Sequence, residues 1–260
     1  DMRNTGIELS LNADAIRTKD FDWNISLNLA HNENEVTRLS NDVFTMDKIL
    51  LGDVFIRGGS SSGTHVLEEG RPIGQFYGLV CNGIDENGRY ILVDKDGDGE
   101  ISDPADYDYI GSAQPKLTYG ITNSFRYKNF DLSFFLRGTI GNDILNATRM
   151  AYAQSGFLPG TNALDDPLTY TLSETPRFSN YYLEKGSFMR LDNLTLGYKI
   201  KALNGIRVYF TAQNLFVITK YKGLDPEVPM DSGDGLTPGV EPREFYPKAR
   251  TFSVGLNLNF

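Results

Sequence analysis

Apolar and polar side chains alternate along the chain with a period of two. In segment 5–16, Ile7, Leu9, Leu11, Ala13 and Ala15 are interleaved with Glu8, Ser10, Asn12 and Asp14, which gives an extended strand one apolar and one polar face. Segment 21–31 sets Trp23, Ile25, Leu27 and Leu29 against Asn24, Ser26, Asn28 and Ala30, and segment 116–127 sets Leu117, Tyr119, Ile121, Phe125 and Tyr127 against Thr118, Thr122, Ser124 and Arg126. Phe130, Leu132, Phe134, Leu136 and Ile140 share one side of the next segment; Leu194, Leu196, Tyr198 and Ile200, then Ile206, Val208, Phe210 and Ala212, repeat the pattern. The last segment alternates Phe252, Val254, Leu256, Leu258 and Phe260 with Thr251, Ser253, Gly255, Asn257 and Asn259.

These segments run to roughly 10–13 residues, longer than the ~5–6 usual for strands of soluble sheets. Twelve residues at ~3.3 Å span about 40 Å, and a tilt of ~45° leaves about 28 Å of height, enough to cross an apolar band of ~25 Å. The connections sort in the same sense. Thr18-Lys19-Asp20, Lys128-Asn129 and 201–205 are short, whereas 34–114, 142–187 and 218–248 are long, and the two kinds alternate. Outer-membrane barrels place short turns in the periplasm and long loops outside. The pattern therefore predicts an all-β fold: an antiparallel transmembrane β-barrel portion with three extracellular loops. Phe21, Trp23, Tyr127, Phe130, Tyr198 and Phe260, all near the short turns, fit an interfacial aromatic girdle. Within 142–154 a short helix is expected.

About seven strands is an odd number, and single-chain bacterial barrels close with an even one. An unpaired strand edge in lipid leaves backbone groups with neither water nor partner, so the first strand is expected to pair with strands outside this sequence. The competing reading of the alternation is a soluble, glycan-binding β-sandwich with its apolar face against a second sheet.

Composition narrows the classes. The 260 residues are 40% hydrophobic, too apolar for disorder, and no run approaches the ~18 apolar residues of a spanning helix. Twenty-five Lys and Arg against 34 Asp and Glu give a net charge of −9, which argues against nucleic acid as a partner. The single cysteine, Cys81, has no internal partner, and with only His31 and His65 there is no zinc array. All the excess charge lies in 34–114, which holds 15 acidic and 6 basic residues.

Its focus is an acidic turn that is similar to the start of an EF-hand calcium loop. Asp94, Asp96 and Asp98 stand at alternate positions, followed by Gly99, Glu100 and Ile101. The closing carboxylate is out of register: Ala105 occupies its place, with Asp103 and Asp106 beside it. Asp94, Asp96, Asp98, Glu100 and Asp106 form the candidate calcium set. Gly59-Ser60-Ser61-Ser62-Gly63 matches a nucleophile-elbow pattern near His65 but lacks the required strand and helix, so it reads as a flexible loop. With no phosphate loop or dinucleotide fingerprint either, no enzyme is expected.

Several blocks resemble the C-terminal part of SusC/RagA-like TonB-dependent outer-membrane transporters. They are Gly74-Gln75-Phe76-Tyr77-Gly78-Leu79, Ile110-Gly111-Ser112-Ala113-Gln114-Pro115-Lys116-Leu117-Thr118-Tyr119-Gly120, Phe130-Asp131-Leu132-Ser133 through Gly141-Asn142-Asp143, Tyr182-Leu183-Glu184-Lys185-Gly186-Ser187-Phe188-Met189-Arg190-Leu191, Asn193-Leu194-Thr195-Leu196-Gly197-Tyr198, Ala212-Gln213-Asn214-Leu215-Phe216 and the aromatic end. The resemblance implies a 22-strand barrel of which 1–260 supplies the last strands, with the plug domain and earlier strands absent from this chain. It implies import of an oligomeric nutrient, glycan or peptide, driven by the TonB complex through that plug beneath a SusD-like lipoprotein, in the outer membrane of a Gram-negative bacterium. It requires no cofactor. Phe260 becomes part of the assembly signal, and Tyr152, Phe157, Tyr170, Tyr181 and Tyr182 become candidate substrate-contacting aromatics of the loops, with stacking against neighbouring loops as the competing role of each. A barrel that scaffolds or adheres without importing is the alternative from another class.

Overall fold

A computed structural model describes residues 1–41, 43–59, 63–201, 206–228, 235–243 and 246–258; Phe260, Ser60–Ser62 and residues 202–205 of the expected short connection lie outside the described residues. Strands β1 (Met2–Arg17) and β2 (Phe21–Val36) form the first hairpin. The first long connection carries β3 (Lys48–Leu51), β4 (His65–Glu68), β5 (Gln75–Leu79), β6 (Cys81–Ile84), β7 (Tyr90–Leu92) and β8 (Tyr107–Ser112). A second hairpin, β9 (Leu117–Tyr127) and β10 (Phe130–Ile140), leads to a connection holding β11 (Asp143–Leu145), α1 (Ala147–Tyr152), α2 (Pro167–Thr171), a 3-10 turn at Asn180–Tyr182 and β12 (Leu183–Lys185). The chain continues through β13 (Phe188–Ile200), β14 (Ile206–Thr219) and β15 (Thr251–Asn257).

The seven long strands form one antiparallel sheet in the order β1-β2-β9-β10-β13-β14-β15. Its register aligns the alternation seen in the sequence. One row of partners runs Ile16, Trp23, Phe125, Leu132, Leu196, Phe210 and Val254 across all seven strands. Another row on the opposite face runs Asp14, Asn24, Ser124, Ser133, Thr195, Thr211 and Ser253. One face is thus apolar and the other polar from edge to edge.

Nothing among the described residues packs on the apolar face as a second sheet would: Ile7 is 74% exposed and Val254 76%. A contiguous apolar surface of this kind suits lipid and not water, as on the outer face of a barrel wall. No helix among the described residues is long and apolar enough to cross a membrane. Aromatic rings gather toward the short turns, with Trp23 and Phe125 stacked at 5.7 Å and Phe130 against Tyr198 at 4.6 Å. The turns are tied together: the Lys128 amide, whose residue takes φ 54, donates to the Asp20 carbonyl at 2.8 Å, and the Lys199 amide donates to the Asn129 carbonyl at 2.9 Å.

The strands outrun the sequence pattern, for two reasons. β2 continues to Val36 through His31, Glu33 and Glu35, where the outward side chains become polar above the apolar band and the alternation is no longer visible. β13 begins at Phe188 and β14 runs to Thr219, but their register shifts between Leu191 and Asn193, so the parity of apolar positions changes inside the strand. Asn214, on β14 at this irregularity, has φ 52, a left-handed backbone that Asn tolerates better than most residues.

On the polar face Arg207 crosses to Asp131 at 2.5 Å, directly over Gly197. A Cβ at Gly197 would meet the Arg207 guanidinium and the Asp131 carboxylate, so glycine leaves room for the pair to lie flat across the strand. On the apolar face Asn123 interrupts the pattern, and its carbonyl accepts a 3.0 Å hydrogen bond from the Trp23 indole. A buried amide without a partner costs about 1–3 kcal/mol. Trp23→Phe is therefore expected to lower the stability of the intact barrel in detergent by about that amount, and adding Asn123→Leu to recover most of the loss. Equal losses in single and double variants, read from denaturant midpoints, would contradict this pairing.

Candidate functional site

The long connections fold together into a layer with its own core. β3, β4, β5 and β8 make a four-stranded antiparallel sheet, while β6-β7 and β11-β12 are two-stranded ribbons. Buried Phe76, Leu145, Met150, Phe178 and Tyr182 belong to one hydrophobic cluster that draws on the first two connections, with Val240 of the third packed against it. Polar bonds stitch the three together. The Cys81 amide donates to Asn180 at 2.6 Å, the His65 ring bonds the Pro238 carbonyl at 2.9 Å, and the Leu145 amide donates to the Gly239 carbonyl at 2.8 Å. The helix expected within 142–154 is α1, capped by Asn146, whose side chain accepts from the Arg149 amide at 2.8 Å.

The five candidate aromatics fall into different environments. Tyr170, on α2, is 75% exposed. Tyr152 and Phe157 flank Arg57, whose guanidinium carbon is 5.2 Å from each ring centroid. Tyr181 is half-buried, edge-on to Tyr90 and Tyr182. Tyr182 is a correction to the sequence reading: it is completely buried, its hydroxyl 2.5 Å from that of Tyr90, and it has no face to offer a ligand. Burial pushes the Tyr90 phenol up to about 12 and that of Tyr182 up as well, so the pair stays protonated.

Sequence reasoning missed a second aromatic group on the four-stranded sheet. Tyr77 and Tyr109 lie 5.1 Å apart, with Lys48 over both rings and the Arg71 guanidinium carbon 3.7 Å above Tyr109. Glu68 accepts a hydrogen bond from the Tyr109 hydroxyl and balances part of the charge. Only the register of β5 with β8 brings these residues together; the alternation of Gln75-Phe76-Tyr77 was the available signal.

In the acidic turn, ligand oxygens of Asp94, Asp96 and Asp106 lie within 4.8 Å of one another, while Asp98 and Glu100 are not in that group. The turn is organised by its own amides. Asp94 accepts from the Gly97 and Gly99 amides at 2.6 and 2.9 Å, and Gly99 has φ 90. Buried Asp106 accepts from Lys95 at 2.6 Å and Ser102 at 2.8 Å. The Ser102 and Lys95 amides hold its carboxyl below the ordinary 3.8, against the opposing effect of burial.

A charge network also absent from the sequence reading occupies the polar face where β10, β13 and the last connection meet. Arg137 and Arg190 are direct partners across the strands. Glu227 lies 2.5 Å from Arg137, 2.8 Å from the Arg190 Nε and 2.8 Å from Lys248. Asp225 is 2.5 Å from Arg190, and Asp192, at the register shift, is 2.9 Å from Arg137. Burial opposes the ionisation of Glu227, but hydrogen bonds from Arg137 and Lys248 hold its carboxyl below the usual range.

The sheet, apolar on one face and polar on the other, defines a portion of a transmembrane β-barrel wall. No family model matches the chain. Its full length is 36% identical to the TonB-dependent receptor SusC of Bacteroides thetaiotaomicron and 32% identical to the TonB-dependent receptor P3 of Formosa agariphila. The chain spans about a quarter of these relatives, 26% and 29% of their lengths. Among solved structures, the RagAB peptide transporter superposes with a TM-score of 0.76 over 98% of this chain and 29% of that one, at 26% identity. The RagAB peptide importer in its open-open state gives 0.73 over 98% of this chain and 28% of that one, at 25% identity. Over its whole length the chain matches a portion of SusC/RagA-like TonB-dependent receptors.

Because the folded carboxyl of Asp106 titrates below its ordinary value, the stability it lends the turn is complete above pH 3.8 and is lost as pH falls through the lower, folded value. Hydrogen exchange of the 95–102 amides, corrected for intrinsic rate, is expected to show protection that falls away below that pH. Asp106→Asn is expected to weaken protection even at neutral pH.

Proposed function

We propose that the protein containing this chain imports an oligomeric nutrient, glycan or peptide, across the outer membrane of a Gram-negative bacterium. Import is energised by the TonB complex acting on a plug carried outside this sequence, and a SusD-like lipoprotein covers the entrance. The chain contributes a sector of the barrel wall and, through 34–114, 142–187 and 218–248, part of its extracellular face. The observation that carries this reading is the pair of unbroken rows across seven strands: an apolar row suited to lipid and a polar row suited to a water-filled interior. The named receptors and transporters among its relatives support the same reading.

The work is binding and passage, without bond chemistry. The polar row offers hydroxyls and amides to a hydrated cargo, and the exposed aromatics of the loop layer, Tyr170 and Phe157, offer stacking faces for sugar rings or apolar side chains. The RagAB structures are described as a peptide transporter and a peptide importer, so peptides are to be tested beside oligosaccharides.

Deleting the intact gene is expected to abolish growth on one class of oligomer as sole nutrient while leaving growth on its monomer intact. Loss of TonB is expected to reproduce the defect. Normal growth on every oligomer, with surface lipoproteins lost from the cell, would instead favour a scaffolding barrel. A separate proposal places calcium on Asp94, Asp96 and Asp106, whose oxygens cluster as a hard cation requires. Calorimetry on the purified complete protein is expected to show calcium-dependent heat that Asp94→Asn diminishes; heat unchanged by that substitution counts against the site.

A further inference from the structure

The arginine pair on the inner wall has no explanation within the wall. Arg137 and Arg190 sit directly opposite each other, an arrangement that destabilises a sheet, and Arg190 is 1% exposed. A cation so buried needs counter-ions. Asp192 supplies one from the register shift; the other two, Asp225 and Glu227, come from the connection after β14. That segment is held elsewhere too. Val228 is buried with Ile144 and Tyr221, and the Asn214 side chain accepts from Arg190 while donating to the Lys248 carbonyl at 2.6 Å. One point on the wall thus grips both the outgoing and the returning limbs of the connection. Between segment and wall lies a cavity of about 320 Å³ lined by Tyr119, Arg137, Thr139, Phe188 and Val228.

We propose that residues 225–228 are latched onto the inner face of the barrel by Glu227 and Asp225 seated on the Arg137–Arg190 pair, forming a fixed inward strap that narrows the channel. This part of the connection is then a lining element, not an external loop free to swing. The assignment of that face to the channel rests on the transporter reading; the latch itself rests on the contacts.

The test uses the complete transporter, purified in detergent from the outer membrane and carrying Val228→Cys as a buried reporter. Its labelling by a water-soluble maleimide is expected to be slow in the parent and at least tenfold faster with Glu227→Gln or Arg137→Gln. The Arg137→Gln/Glu227→Gln double variant is expected to label no faster than the faster single variant, because Glu227→Gln already removes the ion pair by which Arg137 holds the segment. Parent-rate labelling in Glu227→Gln, or increases that multiply in the double variant, would overturn the latch. If Glu227→Gln does not assemble, Glu227→Asp keeps the charge but shortens the reach; an intermediate rate supports the seat and the parent rate refutes it. Labelling needs neither substrate nor TonB. Failed uptake with the expected labelling would therefore refute import while supporting the latch.

Discussion

The structure depends on a constraint that hydrocarbon imposes on backbone. Amide and carbonyl groups within the apolar band have no water to turn to, so each strand must find its partners in its neighbours. Five of the seven strands in the antiparallel sheet have a partner on each side, while β1 and β15 are paired on one side only among the described residues, and the same register fixes which way their side chains face. Since a shift of one residue exchanges the two faces of a strand, Trp23 cannot leave the row of Phe125 and Leu132 without carrying Asn24 and Ser26 into lipid. Even the exception obeys the rule: Asn123 sits among apolar side chains because the Trp23 indole is there to satisfy it.

The wall was legible in the sequence because its environment is periodic. Wherever one side of a strand meets lipid and the other meets water, residue type reports the face directly, and all seven strands emerged from that signal. Legibility failed where the environment changes. Above the band, β2 carries His31, Glu33 and Glu35 outward and its last turns look like loop. At Asn214 the left-handed backbone breaks the count, hiding the upper half of β14.

The loop layer was opaque for a different reason. Its small sheets pair residues far apart in the chain, such as His65 with Phe76 and Tyr77 with Tyr109, and no short window contains both partners. Hence Tyr182 stood among the candidate substrate contacts although it is sealed beside Tyr90, and the Arg137–Glu227 contact, 90 residues apart in sequence, left no local trace. The acidic turn was the opposite case. Asp94, Gly97 and Gly99 are close in sequence and in space, so the turn and its candidate carboxylates could be read from the sequence, while the fold narrows the clustered set to Asp94, Asp96 and Asp106.

The loop core also ties the connections to the wall. Phe76, Met150 and Val240 reach it from three connections separated by four wall strands, β9, β10, β13 and β14. Each connection starts and ends on the wall, so their meeting point is set by how neighbouring hairpins have zipped. The burial of these side chains therefore depends on strand pairing some distance away: a slip in one hairpin would pull its connection out of the shared core and leave Phe76, Met150 or Val240 without its neighbours.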